Sequence, residues 1–349
     1  MSIANSYFSD FLSNIRLSEN QRNDLKTGHT TLRERLMNDD DLSPIIVSTF
    51  LQGSYRRSTA VKPKNGSKSD VDVIVVTNLD ADQTTPEEAL NKFIPFLDKH
   101  YKDKYRMQGR SIGISLSYVD LDIVPTSAPS EALQNELKSD ELSSDDNIEE
   151  NDAFFSISSD SSWKLEPLLI PDREADFWDK THPLEQIRWT VEKNKKCNSN
   201  YINVVKALKW WKKVSLPGMK HPKSYPLEHF IGDCCPDEIS SVAEGVVLTL
   251  EKIVVDYPNK PFLSDRGVPE HNVFGRLSEY EYQEFYKAVC DAAKTARTAY
   301  DCEELHDSVL KWRELFGSEF PEPPNNNNTV NGFTRRTEKT TDIPRGRFA

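Results

Sequence analysis

Residues 70–76 read Asp70-Val71-Asp72-Val73-Ile74-Val75-Val76, an apolar β-run that carries two carboxylates at its start. Side chains alternate along a strand, so Asp70 and Asp72 share one face and Val71, Val73 and Val75 share the other. Two carboxylates on one face repel each other unless something positive sits between them. A divalent cation meets that need. Oxygen ligands from one or two carboxylates, completed by substrate phosphates, suit Mg²⁺. The plainer reading is the solvated face of an edge strand, and the spacing alone does not choose between the two.

The surroundings do. Pro44 to Leu51 form a β-rich run that ends at Gly53-Ser54, ahead of Asp70. Glycine lets backbone approach a phosphate closely, N–H groups at a short helix start can cradle oxyanions, and Ser54 adds a hydroxyl donor. A turn-rich loop, 62–69, joins this pair to the D-x-D strand. Val119-Asp120-Leu121-Asp122-Ile123-Val124-Pro125 then offers two further acids on one strand face. Three carboxylates from adjacent strands can hold two Mg²⁺ ions about 4 Å apart, the arrangement that clamps the attacking and leaving oxygens of phosphoryl transfer. Mn²⁺ could serve in the same place. The third acid can also take the proton of an attacking hydroxyl.

Gly53-Ser54, Asp70-Val71-Asp72 and Leu121-Asp122-Ile123-Val124-Pro125 resemble the motifs of the DNA polymerase β-like nucleotidyltransferase superfamily. Within it the likeness is to bacterial CD-NTases, the cGAS/DncV-like enzymes of CBASS antiphage systems. Leu51 to Thr59 is similar to their first motif, and Gly109-Arg110-Ser111-Ile112-Gly113 to the segment before the third acid. The resemblance makes Asp70, Asp72 and Asp122 the metal ligands and catalytic acids. It prefers Asp122 to Asp120, because Ile123-Val124-Pro125 follows it directly. It implies nucleotide contacts from Gly53, Ser54, Lys209 and the Ser224-Tyr225 pair, with Lys209 facing a triphosphate and Tyr225 stacking on a base. Ser264 to Val273 is similar to a late family segment, with Arg266 where proline is usual.

The fold so implied is α+β and bilobed: a mixed β-sheet lobe carrying the three acids, facing a mostly helical lobe. The chain pattern divides in the same sense. Residues 1–180 are expected to form the catalytic lobe, with a capped helix over 18–37, a helix over 85–100 and β-runs at 112–118 and 119–124. Residues 181–320 read as helices at 184–195, 201–214, 239–257 and 279–315. In the helix from Tyr201, residues Tyr201, Val204, Val205, Leu208 and Trp211 make an apolar stripe and Lys206, Lys209 and Lys213 a basic one. Residues 130–152 hold nine acids against one lysine and read as an exposed insertion. Residues 321–349 begin with prolines and asparagines and read as a disordered tail.

The net charge of −12 over 349 residues argues against a broad nucleic-acid surface and against activation by duplex DNA. No run of 18 apolar residues predicts a membrane span. The N-terminal residues lack a basic region followed by an apolar core, so no secretory leader is expected, and five cysteines read as reduced cytoplasmic thiols. His229 with Cys234-Cys235 lacks further ligands at zinc spacing, so no zinc is expected.

The expected activity is the joining of nucleoside triphosphates, ATP first among them, into a cyclic oligonucleotide with release of pyrophosphate. A cyclic tri-adenylate is the preferred product, acting as a second messenger read by a downstream effector. The alternatives are a linear oligoadenylate or RNA-acting nucleotidyltransferase, and a non-catalytic nucleotide-binding module. The resemblance also offers a partner for the tail, an E1/E2-like enzyme that conjugates the C-terminus.

Overall fold

The computed structural model describes residues 4–64, 67–128, 130, 131, 133, 134 and 166–324. Most of the acidic stretch 130–152, and the tail from 325, therefore lie outside the described residues. Seven strands make one sheet: β1 (Ile46–Gln52), β2 (Asp70–Thr77), β3 (Tyr105–Met107), β4 (Ile112–Ser115), β5 (Asp120–Ser127), β6 (Leu168–Asp172) and β7 (Phe177–Thr181). Five run in the order β1-β2-β5-β4-β3, and β6, itself paired with β7, joins the far end of β5. β2 and β5 are parallel and the other pairs antiparallel, so the sheet is mixed as expected.

Two antiparallel strands can be joined by a tight turn, but a parallel pair needs a crossover. That crossover contains α4 (Pro86–Asn91), α5 (Ile94–His100) and the β3–β4 hairpin. The helix expected over 85–100 is thus two helices. Pro95 has no N–H to bond to the Asn91 carbonyl, so the helical ladder is interrupted there. Thr85 and Glu88 cap the first piece reciprocally.

One sheet face is covered by α2 (Glu19–Met37), whose Ser18–Gln21 capping box forms as the sequence predicts. Leu25, Leu32 and Leu36 of this helix join Val71, Val73, Val75, Leu121 and Ile123 in a core with Phe93 and Phe96. Gly28, a residue type that weakens a helix interior, sits where the helix meets the sheet: a Cβ there would lie 2.8 Å from Val119 Cγ1. The opposite face changes character along β2. Asp70 and Asp72 come first and Ile74 and Val76 follow. The apolar half is roofed by Leu184 and Ile187 of α6 (Pro183–Lys196), which leaves the acidic half as the wall of a cleft.

The rest is helical: α7 (Tyr201–Ser215), α8 (Ser224–Cys234), α9 (Val242–Asp256), α10 (Glu279–Asp301) and α11 (Leu305–Phe316). The single helix expected over 279–315 breaks because Cys302 turns extended, which lets α11 fold back on α10. α1 (Asn5–Ile15), first in the chain, packs into this half. Phe11 stacks on Phe316 at 4.5 Å, and Phe8 meets Trp312 edge-on at 4.9 Å. Among the described residues no helix is long and apolar enough to cross a membrane.

Phe11 is fully buried against Phe316 and Phe320. Replacing it by alanine removes an aromatic anchor that the site can refill only partly. We expect Phe11→Ala to lower stability by about 3–5 kcal/mol. Urea unfolding followed by tryptophan fluorescence checks this, and a loss below 1 kcal/mol would mean that α1 is not held through this contact.

Candidate active site

The sheet register builds the site. Gln52 on β1 pairs with Asp72 on β2, Asp72 with Asp122 on β5, Asp122 with Gly113 on β4, and Gly113 with Arg106 on β3. Paired residues in neighbouring strands face the same side, so the five form one row across the acidic face. A second row sets Asp70 beside Asp120. Asp70, Asp120 and Asp122 line a cavity of about 570 Å³ together with Arg106 and Gln108.

The two acids of β5 have different neighbours. Asp120 accepts from Ser115 Oγ at 2.7 Å and from Lys68 Nζ at 3.3 Å. Asp122 accepts at one oxygen only, from Gln108 Nε2 at 2.9 Å. Gly113 makes this bond fit: a Cβ there would come within 2.6 Å of Gln108 Nε2 and 3.1 Å of Asp122 Oδ1. Gln108 fixes the rotation of Asp122 without neutralising its charge.

Gly53 ends β1 with φ +79°, a left-handed conformation that glycine adopts without strain. A Cβ at this position would lie 1.9 Å from Asp72 Oδ2. The backbone therefore runs directly over the carboxylate, and α3 (Gly53–Arg56) starts there, one turn long. Ser54 stands on that turn, partly open to the cleft.

Asp72 and Asp122 both have raised pKa values. Burial first, then the charges of Asp70 and Asp122, push Asp72 up to about 7, against the pull of Arg57. Asp122 is raised by burial and by Asp70, with Gln108 and Arg106 opposing. Such a set is short of positive charge. Among the described residues no three His, Cys, Asp or Glu side chains stand closed into a metal cage. The donors are nonetheless all carboxylate oxygens on one face, and that chemistry fits Mg²⁺ or Mn²⁺.

Behind Asp72 the two halves of the molecule are pinned together. Glu228 of α8 accepts from Arg57 Nε at 2.6 Å and from Thr59 Oγ1 at 2.7 Å. Lys209 of α7 donates to the Thr59 carbonyl at 2.9 Å and lies 3.8 Å from Glu228. All of these side chains are buried. Burial opposes ionisation of Glu228, but Arg57 and then Lys209 hold its pKa below the ordinary carboxylate value. Burial brings Lys209 down to about 8, with Glu228 opposing. The tight pair is Arg57–Glu228, by distance, and Lys209 is the looser third member.

The family model for the Second Messenger Oligonucleotide or Dinucleotide Synthetase domain matches residues 1–147. The chain is 43% identical to a cyclic AMP-AMP-GMP synthase of Enterobacter hormaechei subsp. hoffmannii (strain UCI 50), over 98% of each protein. It is 30% identical to a cyclic AMP-AMP-AMP synthase of Acinetobacter sp. (strain ATCC 27244 / 9458), over 90% of this chain and 84% of that one. Its fold matches the apo crystal structure of Vibrio cholerae DncV with a TM-score of 0.67 at 11% identity, over 91% of this chain and 96% of that one. The chain belongs to the bacterial CD-NTase family. It is an enzyme, a nucleotidyltransferase of the cyclic oligonucleotide synthase class.

In this CD-NTase the residues expected to touch nucleotide fall into two groups. Gly53 and Ser54 adjoin the acids. Lys209, Ser224 and Tyr225 lie across the cleft on helices. Lys209 is committed to Thr59 and Glu228, so the Lys stripe of α7 is not a solvated face: Lys206 and Lys209 are both buried. Ser224 opens α8 and is exposed. Tyr225 donates to Asp265 at 2.6 Å and has Arg57 over its ring at 5.3 Å. Burial and Asp265 keep its hydroxyl protonated. Lys213 approaches the site from α7: it donates to the Lys62 carbonyl at 3.1 Å and feels the charge of Asp70. Sequence reasoning missed Gln108, Arg57 and Glu228. His229, Cys234 and Cys235 lie buried on and beside α8.

Three outcomes follow for this enzyme. Gly53→Ala forces backbone and Asp72 apart, and a displacement of about 1 Å at such a site costs roughly 100-fold in kcat/KM; steady-state kinetics checks it. Asp72 has a folded pKa, about 7, above its unfolded one, so the metal-free fold loses stability as pH rises from the ordinary carboxylate range to about 7 and carries the full loss above it. Asp72→Asn should therefore raise the melting temperature of metal-free protein at pH 8 while abolishing turnover, and a lowered temperature would contradict the electrostatic account. Glu228→Gln leaves Arg57 and Lys209 buried without their counter-charge and should destabilise by about 3–5 kcal/mol, measurable by denaturant unfolding.

Proposed function

We propose that this CD-NTase builds a cyclic trinucleotide from two ATP and one GTP, with Asp70, Asp72 and Asp122 as the catalytic acids and metal ligands. The observation that carries the product assignment is the 43% identity, end to end, with a cyclic AMP-AMP-GMP synthase. The more distant relative, a cyclic AMP-AMP-AMP synthase, supports the tri-adenylate reading less strongly. The row formed by Asp72 and Asp122 supports the chemistry in either case.

The reaction is attack of a ribose 2′- or 3′-hydroxyl oxygen on the α-phosphorus of a second nucleotide. A new P–O bond forms, the bond to the pyrophosphate oxygen breaks, and pyrophosphate leaves. Two such joinings and one closure make the ring. Mg²⁺ held by Asp70, Asp72 and Asp122 would lower the pKa of the hydroxyl and neutralise charge on the phosphates. Asp122, turned by Gln108 at one oxygen, keeps the other for the hydroxyl and is suited to accept its proton. Gly53 admits phosphate close to backbone, and the Ser54 hydroxyl donates to it. Lys213, near Asp70, adds positive charge on the opposite wall. Tyr225, oriented by Asp265, offers its ring to a base, for which stacking is worth about 1–3 kcal/mol.

The product acts, on this reading, as a second messenger for an antiphage effector. The E1/E2-like partner would act on residues from 325 onward, outside those described. Incubating the protein with Mg²⁺, ATP and GTP, followed by phosphatase treatment and mass spectrometry, tests the assignment. A phosphatase-resistant product of two adenylates and one guanylate is expected, and is absent from Asp70→Asn/Asp72→Asn protein. A product from ATP alone at full rate would favour the tri-adenylate, and a phosphatase-sensitive chain would favour linear synthesis.

A further inference from the structure

The residue row across the sheet does not end at the acids. Beyond Asp122 come Gly113 and then Arg106 on the edge strand β3. Gly113 has no side chain, and the Gln108 amide lies over it on its way to Asp122, so Asp122, Gln108 and Arg106 follow one another along the acidic face. The separation is two strand spacings, about 10 Å. Arg106 influences Asp122 electrostatically but makes no hydrogen bond or ion pair to a described residue.

Arg106 and Gln108 also line a second gap, of about 370 Å³, that adjoins the acid-lined cavity through those two shared residues. Arg276, from the loop before α10, also lines it. Arg276 likewise makes no hydrogen bond or ion pair to a described residue. The third arginine of the gap behaves differently: Arg110 is held by Asp172 at 2.6 Å and by Asp179 at 2.9 Å. One acid of the gap stays open, Glu174, which packs on Gly109. Two uncommitted arginines, one on β3 and one on the loop before α10, thus line one space with a single uncommitted carboxylate, in a chain of net charge −12.

We propose that Arg106 and Arg276 bind the 5′-phosphates of the nucleotide whose ribose hydroxyl attacks. This rests on the nucleotidyl-transfer reading and adds to it the group that seats the acceptor. A ribose with its hydroxyl at Asp122 directs its 5′ end along the row, towards the arginines. Guanidinium groups take phosphate oxygens in paired hydrogen bonds and stay charged at any working pH. Glu174 sets the affinity from the other side, by repulsion.

The test separates the two substrates chemically. 2′,3′-Dideoxy-ATP can only donate a nucleotidyl group. α,β-Methylene-ATP can only accept one, and adenosine is an acceptor without phosphates. Arg106→Gln and Arg276→Gln should each raise the KM for α,β-methylene-ATP about ten-fold, the scale of one lost charge-assisted bond. The KM values for adenosine and for dideoxy-ATP should stay within about two-fold. Glu174→Gln should lower the KM for α,β-methylene-ATP, an opposite sign that a loss of folding would not produce. Equal effects on both acceptors, or none, would overturn the proposal. So would a changed choice between adenosine and guanosine with phosphate dependence intact, which would make the arginines base readers. Calorimetric titration of metal-free protein with inorganic tripolyphosphate provides the independent arm. Binding should weaken in Arg106→Gln/Arg276→Gln protein, and unchanged binding overturns the proposal even if wild-type protein joins no nucleotides. In that last case the functional reading fails separately.

Discussion

The parallel pairing of β2 with β5 is the constraint on which the site depends. It aligns Asp70 with Asp120 and Asp72 with Asp122 in one register. A one-residue slip would turn every acid of one strand into the valine-rich core. Register is fixed because both faces have work to do. Val71, Val73, Leu121 and Ile123 are buried under α2, and Ile74 with Val76 is buried under α6. The carboxylates are held together by the apolar residues interleaved with them, against their own repulsion.

The cleft also needs a second wall at a fixed distance, and polar bonding supplies that. Glu228 takes bonds from Arg57 and Thr59, which follow the Gly53 turn directly in sequence. The turn that carries Gly53 and Ser54 is therefore tied to the helical half through one buried carboxylate. In a low-dielectric setting such a cluster tolerates little change of geometry, since each member left alone would be a buried bare charge. Lys209 shares the cluster, and this joins α7 to the same turn.

Much of this was legible in sequence where a period of two or a cap fixed it. The D-x-D strand, the second acidic strand, the Ser18–Gln21 cap and the change from strands to helices came from local pattern, whereas the mixed sheet came from the family resemblance. Other elements resisted for physical reasons. β3 is three residues long and has no period to read. Pro95 split a helix that its apolar content would have continued, and α8 begins with Ser-Tyr-Pro, which reads as a turn. Gln108 and Asp122 are neighbours only because β3 and β4 form a hairpin beside β5. Arg57 and Glu228 are 171 residues apart, so no local pattern could pair them. The lysines of α7 read as a basic stripe with Lys209 facing a triphosphate, because sequence gives spacing but not that Thr59 and Glu228 take up Lys209.

The distribution of cations around the acids has its own logic. A carboxylate pair can be neutralised by a protein cation or by a metal ion, but a tight internal partner would exclude the metal. Lys68 is taken by Asp120, Arg110 by Asp172 and Asp179, and Arg57 by Glu228. Arg57 is the nearest threat, since its charge already pulls on Asp72. Its Nη1 has no partner, while its Nε is held by Glu228. Were Glu228 absent, the guanidinium would be free to turn to Asp72 as its counter-ion. Glu228 thus does more than join two halves: by holding Arg57 back, it leaves Asp72 short of positive charge and so able to take it from a divalent ion.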